Sequence, residues 1–275
     1  TVTFRPYLEF AEASDLTGVP NMIFDVPSST VSVPASGQLD FRYVNVEQTM
    51  TLTSFTDPTT ELQTLLSSTC DNYWEFRKTE TTSVTDMVGG SNVATYNNGV
   101  TSNSTDGAVF TSSTDHIKTQ NFSNSLNANI SIEVYFKFAT TESWSTVLDT
   151  DGSPSQRYIQ LARSGTTSTG IKSRLGNNDN FGNSISIVND QWYHFIFTAN
   201  SSQQILYIDN VSRASASTSL PSFTSPIYLG TNGSSVSNKM IFKGAIKYLR
   251  IFNKTLSTTE IGTLYSNRDV ILSTL

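Results

Sequence analysis

Between Ile130 and Phe138 apolar and polar residues alternate without a break. Ile130, Ile132, Val134, Phe136 and Phe138 share one parity, and Ser131, Glu133, Tyr135 and Lys137 the other. A period of two belongs to a strand, whose side chains point alternately to the two faces of a sheet. The pattern predicts a half-buried strand. Similar runs recur at 158–163, 192–199, 204–208, 227–229 and 244–252. Shorter ones occupy 2–10, 21–26, 30–33, 39–46 and 50–55, with Pro34-Ala35-Ser36-Gly37 as a turn. A chain patterned this way is all-β.

Two short helices interrupt the strands. Asp57 fits an N-cap, Pro58 the first helical position, and Leu62, Leu65 and Leu66 an apolar stripe that ends near Ser68. Near the C-terminus Ser257 and Glu260 have the spacing of a capping box, followed by Ile261, Leu264 and Tyr265 as the buried stripe. The expected organisation is a small N-terminal β module or docking arm over 1–57, a helical connector over 58–69, and one large β domain over 70–275.

Composition narrows the function classes. Of 275 residues, 37% are hydrophobic, enough for a core, and only 15% are charged, so hydroxyls and amides carry solubility. A net charge of −6 argues against a nucleic-acid partner, which needs clustered Lys and Arg. The most basic stretch, 239–250, reads as a solvated strand face. Cys70 is the single cysteine, so no intrachain disulfide braces the fold. No apolar run has the length of a membrane span, and membrane insertion is not expected. The chain opens at Thr1 with neither an initiator Met nor the apolar core of a signal peptide, as expected of a trimmed or processed chain.

Several stretches, taken in order, resemble the laminin-G-like or concanavalin A-like lectin/glucanase jelly-roll family over about residues 70–270. Tyr73-Trp74-Glu75-Phe76 and Asp86-Met87-Val88-Gly89-Gly90 resemble its opening strand and Gly-rich turn. Asp106-Gly107-Ala108-Val109-Phe110 and the run from Ile130 to Lys137 resemble two further strands, the second the long central one. Asp190-Gln191-Trp192-Tyr193-His194-Phe195 and the run from Gln204 to Val211 look like the family's later hairpin, with Asp209-Asn210 as a two-residue turn. Phe242-Lys243-Gly244-Ala245-Ile246, then Leu249-Arg250-Ile251-Phe252, resemble its closing strand. The resemblance implies a two-sheet antiparallel jelly-roll sandwich and a habit of binding sugars, proteins or matrix. Residues 1–57 have no counterpart in it.

No catalytic residue is expected. A glycosidase needs two carboxylates flanking the scissile bond, yet Glu133 is the only acid on its strand. His116 and His194 lie in unrelated contexts with no nucleophile motif beside them, and Cys70 reads as a structural thiol. No cofactor is expected, with calcium as the one candidate, since family members often hold it at the rim of the sandwich. Its ligands would be Asp149 and Asp151, alternating acids before Gly152. Where the family commonly carries an acid in its closing strand, this chain has Lys247, which weakens any site there. For a glycan, Trp144 in a polar loop is the aromatic platform, and Asn178 and Asp179 in an oxygen-rich loop are the polar contacts. Trp74 and Trp192 read as core between the sheets. Asn103, Asn121, Asn129, Asn200, Asn210, Asn232 and Asn253 head N-x-S/T sequons, which permit glycosylation without arguing for it.

The leading functional expectation is a non-catalytic structural or assembly protein, such as a virion or surface-appendage component, with protein neighbours as partners. The alternative is a carbohydrate-binding or adhesion module with glycan as partner, and a glycoside hydrolase is the distant third. Either leading reading places the protein outside the cell, on a cell surface or in a virion. Phe4, Leu8, Phe10, Leu39, Phe41 and Tyr43 give the N-terminal segment apolar faces, each large side chain contributing about 1.5–3 kcal/mol on burial. Deleting residues 1–57 is expected to leave a cooperatively melting domain that no longer joins its assembly. Loss of folding in the truncated chain would assign the segment to the core instead.

Overall fold

The computed structural model describes residues 58–124, 129–140, 145–150, 159–163, 171–175, 178–181, 186–217, 223–232, 242–272 and 275, with the side chains of some of these left undescribed. The expectations for residues 1–57, the Asp57 cap among them, lie outside the described residues.

Helix α1 (Pro58–Thr69) runs straight into β1 (Cys70–Glu75). Then follow β2 (Ser83–Thr85), β3 (Val93–Asn97), β4 (Thr101–Asn103), β5 (Gly107–Phe110), β6 (His116–Asn124), β7 (Ile130–Phe138) and β8 (Thr146–Thr150). The second half contributes β9 (Ile159–Arg163), β10 (Ile171–Leu175), β11 (Asn178–Phe181), β12 (Trp192–Ala199), β13 (Gln204–Ile208) and β14 (Val211–Ala216). It closes with β15 (Phe223–Leu229), β16 (Gly244–Phe252) and α2 (Thr258–Ser266). The strands form two eight-stranded sheets. The first has the order β14-β13-β12-β7-β16-β5-β4, and the second β11-β10-β9-β8-β15-β6-β3-β2. Every pairing is antiparallel, so the fold is the expected jelly-roll sandwich.

Strand β16 is the spine of the first sheet. One of its edges pairs with β7 along nearly its whole length. The other is shared: Gly244–Ile246 pair with β5, and Tyr248–Phe252 with β1. Two glycines make this crowding possible. A Cβ on Gly107, whose φ is +76°, would collide with the Ile246 carbonyl, and one on Gly244 with the Lys137 carbonyl. The hairpin β13–β14 turns at Asp209 and Asn210, with φ of +50° and +62°, the type I′ requirement that their short polar side chains tolerate.

Alternation sorts side chains as the sequence predicts. Ile130, Ile132, Val134, Phe136 and Phe138 of β7 join Tyr193, Phe195 and Phe197 of β12 and Leu249 and Ile251 of β16 in the core between the sheets. Trp74 and Phe76 belong to it too. The other face of the first sheet departs from expectation, because it is buried as well. A second core there gathers Tyr73, Tyr135, Ile196, Tyr248 and Phe252 beneath Leu62 and Leu66 of α1 and Ile261 and Leu264 of α2. Strand β7 is therefore buried on both faces, not half-buried. Helix α2 has the predicted capping box, and Ser131 ties its approach by donating to the Lys254 carbonyl at 2.8 Å and accepting from the Leu256 N–H at 3.1 Å.

Trp192 needs correction. It precedes Tyr193 by one residue, so when Tyr193 points between the sheets Trp192 points to the opposite face. There it is half-buried beneath lysines, outside the inter-sheet core. The stretch ending at Arg250 is likewise no solvated face, since Lys247 is buried and Arg250 fully so. Trp74→Ala is expected to lower stability by about 3–5 kcal/mol, the usual range for deleting a fully packed aromatic. Trp192→Ala is expected to lower it clearly less, and paired denaturant titrations of the two variants measure the difference.

Candidate functional site

The second core holds a buried polar network on strand positions that alternation alone would send to solvent. Glu133 is inaccessible and pairs in register with Arg250. The Arg250 Nη1 donates to both Glu133 oxygens at 3.2 Å, and Tyr248 donates to Oε1 at 3.0 Å. His194 Nε2 lies 2.7 Å from the same oxygen and, facing a carboxylate, is the protonated ring nitrogen. The Arg250 guanidinium sits against the rings of Tyr248, 4.0 Å from its centroid, and Tyr73, at 4.4 Å. Nη2 also donates to the Tyr73 hydroxyl at 3.2 Å, which donates on to Glu75 at 2.5 Å. Arg77 grips Glu75 with Nε at 2.7 Å and Nη2 at 2.8 Å, and reaches the Asp269 and Val270 carbonyls at 2.9 and 3.2 Å.

Burial alone would push the Glu133 carboxyl upward, but the Arg250 guanidinium, with hydrogen bonds from His194 and Tyr248, holds it below the ordinary glutamate range. Burial drives the Tyr248 hydroxyl and the Cys70 thiol well up, so neither ionises at neutral pH. Two carboxylates and two guanidiniums balance, and the acids are sealed from solvent. Such a network fixes structure and offers no oxygen to a substrate.

At the end of the same face a bulge in β16 between Ile246 and Tyr248 sets Lys247 and Tyr248 on one side. The Lys247 ammonium lies 4.4 Å from the Trp192 ring centroid and 2.6 Å from Asp269. Lys137 lies 5.0 Å from the same ring and 2.7 Å from Asp106. Both cations over Trp192 are already paired.

The outer face of the second sheet is different. Backbone register sets Thr95, Lys118, Tyr228 and Asp149 in one transverse row across β3, β6, β15 and β8, and the row continues through Gln160 and Arg174. Thr95, Lys118, Gln120 and Asn121 are exposed and, with Val93 and Thr119, line an open depression of about 560 Å³. Lys118 Nζ stands 5.6 Å from the Tyr228 ring centroid, and the His116 ring lies 6.2 Å from it on the same strand as Lys118. The row is regular despite Pro226, which interrupts β15 for want of an N–H. Register shifts there, and the Thr119 hydroxyl accepts the Ile227 N–H at 2.9 Å.

Trp144 and Asp151 lie outside the described residues. Asp149 is within β8, not on a rim loop, and is 1% exposed. Asn178 and Asp179 begin the edge strand β11, and their side chains lie outside the description. Three strand spacings, about 14 Å, separate β11 from β8. Among the described residues no group of three or more His, Cys, Asp or Glu could hold a metal ion. The Lys118–Tyr228 pairing was not legible, because the two residues are far apart in the chain and only sheet order makes them neighbours.

The laminin-G family model of the Concanavalin A-like lectin/glucanases superfamily matches residues 110–262. The chain belongs to this superfamily. Domain 4 of a GH43 extracellular arabinanase from Geobacillus stearothermophilus, in complex with arabinotriose, is similar at 19% identity and TM-score 0.56, over 71% of this chain and 98% of that one. A Trypanosoma rangeli sialidase, in complex with 2,3-difluorosialic acid, is similar at 14% identity and TM-score 0.62 over 78% of this chain but 38% of that one. The receptor binding domain of botulinum neurotoxin D is similar at 18% identity and TM-score 0.57, over 74% and 54%. At these identities the likeness is one of fold. No curated protein matches the chain in sequence.

The network makes stability depend on pH with a definite sign. Because the native Glu133 carboxyl is held low, its contribution is complete above the unfolded value of about 4.3 and is lost as pH falls through the native one. Glu133→Gln is expected to lower stability at pH 7 by about 3–5 kcal/mol, since Arg250 is left buried without its counter-charge. Denaturant titrations at a series of pH values should show the gap between wild type and variant narrowing below about pH 4.3.

Proposed function

We propose that this chain is a non-catalytic carbohydrate-binding module whose outer face on the second sheet receives a glycan. The observation that carries the reading is the contrast between the two outer faces. The central strands of the first sheet are sealed by α1, α2 and the C-terminal segment, with Glu75 and Glu133 consumed by Arg77, Arg250, His194 and Tyr248. The second sheet presents, on β3 and β6, exposed amide, hydroxyl and ammonium groups around an open depression, with Lys118 against the buried ring of Tyr228. Sugar hydroxyls need donors and acceptors set in a shallow, solvent-facing surface, and Thr95, Gln120, Asn121 and Lys118 offer them.

The arabinanase domain supports the reading. It was solved with a trisaccharide, and this chain covers almost all of it. An extracellular setting is part of this reading: the arabinanase is an extracellular enzyme, and the sequence expectation was a place outside the cell, on a cell surface or in a virion. Among the described residues no helix is long and apolar enough to cross a membrane. The assembly reading gains no support from the described residues or from these comparisons.

A glycan panel followed by calorimetric titration tests the proposal. The expected result is saturable binding with the glycan recovered unshortened. The Gln120→Ala, Asn121→Ala double variant is expected to lose about tenfold in affinity at an unchanged melting temperature, each lost hydrogen bond being worth about 0.5–1.5 kcal/mol. Retention of no glycan by the folded protein would end the reading, and shortening of the ligand would restore the hydrolase.

A further inference from the structure

The depression on the second sheet carries an ammonium group with no counter-ion among the described residues. Three other lysines each hold a carboxylate: Lys137 that of Asp106, Lys247 that of Asp269 and Lys254 that of Glu260. Lys118 forms no ion pair among the described residues, and its cation rests only against the Tyr228 ring. On its own strand the outward-facing neighbours, His116 and Gln120, bring no acid. In register Thr95 flanks it on β3 and Tyr228 on β15. The nearest acid in the row, Asp149, lies one strand beyond Tyr228 and is buried.

We propose that this surface selects glycans bearing a carboxylate, with Lys118 as the group that reads the charge. This deepens the glycan reading given above and rests on it. The chemistry favours an acid over a neutral sugar. A lysine ammonium is a compact charge with three rotatable donors, so it can meet a sugar carboxylate at the floor of a shallow site. Gln120, Asn121 and Thr95 remain free to bond ring hydroxyls around it. In a chain of net charge −6, an acidic ligand is repelled by most of the surface, and an unneutralised cation marks where it can dock. A neutral sugar would gain only an ordinary hydrogen bond from the same lysine.

Two matched pairs of ligands separate the sources of the carboxylate: oligogalacturonate against its methyl ester, and sialyllactose against lactose. Calorimetric titration of the full chain in low salt is expected to show the acidic member of one pair binding about tenfold more tightly than its neutral partner. That preference should shrink in 0.5 M salt, where exposed charges are screened. Lys118→Gln should abolish the preference and leave the weaker neutral binding, while Lys118→Arg should keep it. The melting temperature of each variant reports folding, which a substitution at an exposed strand position leaves intact. Equal binding of acidic and neutral members, or a preference that survives Lys118→Gln, overturns this inference and leaves the glycan reading standing. Absence of binding to all four ligands and to the wider panel overturns both.

Discussion

Glu133 and Arg250 face each other across neighbouring strands with no water to solvate either, and much of the first sheet's outer face is arranged around that fact. A buried carboxylate is tolerable only when its lone pairs are filled. His194, Tyr248 and Arg250 fill them, and each is fixed by the pairing of β12 and β16 with β7. The guanidinium in turn needs acceptors and finds the Tyr73 hydroxyl, which hands the chain of hydrogen bonds to Glu75 and Arg77. Arg77 then holds the backbone at Asp269 and Val270. Apolar burial of Leu62, Leu66, Ile261 and Leu264 supplies the drive to cover the sheet, but it is indifferent to small shifts of a helix. The polar contacts are directional, and they register the C-terminal segment on the sheet beneath.

The consequence is an asymmetric sandwich. The central strands of the first sheet form an inner layer, with packed side chains above and below, and only the edge strands β4 and β14 are exposed. The second sheet faces the shared core on one side, and on the other it carries exposed polar side chains on β3 and β6, while Tyr228 of β15 and Asp149 of β8 are buried. The open polar surface that the glycan proposal uses is therefore confined to β3 and β6, with Lys118 lying against the buried ring of Tyr228 on β15.

Membership of the Concanavalin A-like lectin/glucanases superfamily gives the scaffold and leaves the function open, because a fold hosts many chemistries and only the site chooses among them. In this chain the choice turns on where the carboxylates end. Glu75 and Glu133 stand on strands that could have displayed them, and each is drawn under the helices by an arginine. Asp86 and Asp115 are spent on loops: Asp86 accepts the Tyr73 and Val88 N–H groups, and Asp115 those of Gly99, Thr111 and Ser112. An acid that caps a turn is held by backbone donors and is a poor candidate for proton transfer.

Much of the architecture was legible in the sequence because it is written in local periods. Alternation at Ile130–Phe138 and Trp192–Ala199 marked strands and sorted their inner faces, Asp209-Asn210 marked a hairpin turn, and Ser257 with Glu260 marked a helix start. Each of these depends on residues a few positions apart. The same alternation carried the answer for Trp192, on the parity of His194 and not of Tyr193, although its size suggested core. What local pattern could not say is whether a polar parity faces water or a covering helix. That is why Glu133, His194 and Arg250 read as an isolated acid, a stray histidine and a solvated cation. Nor could it bring Lys118 to Tyr228, or place Asp149 in mid-sheet. These are pairings between strands distant in the chain, set by the order in which a sheet assembles. The sequence by itself determined the longer strands, most of their inner faces and the family resemblance, while β8 and β11 read as loops. Tertiary structure alone decided which strands were covered, and so which polar residues became a buried lock and which remained a surface, because burial of an outward-facing side chain depends on what packs over it and not on its own neighbours in the chain.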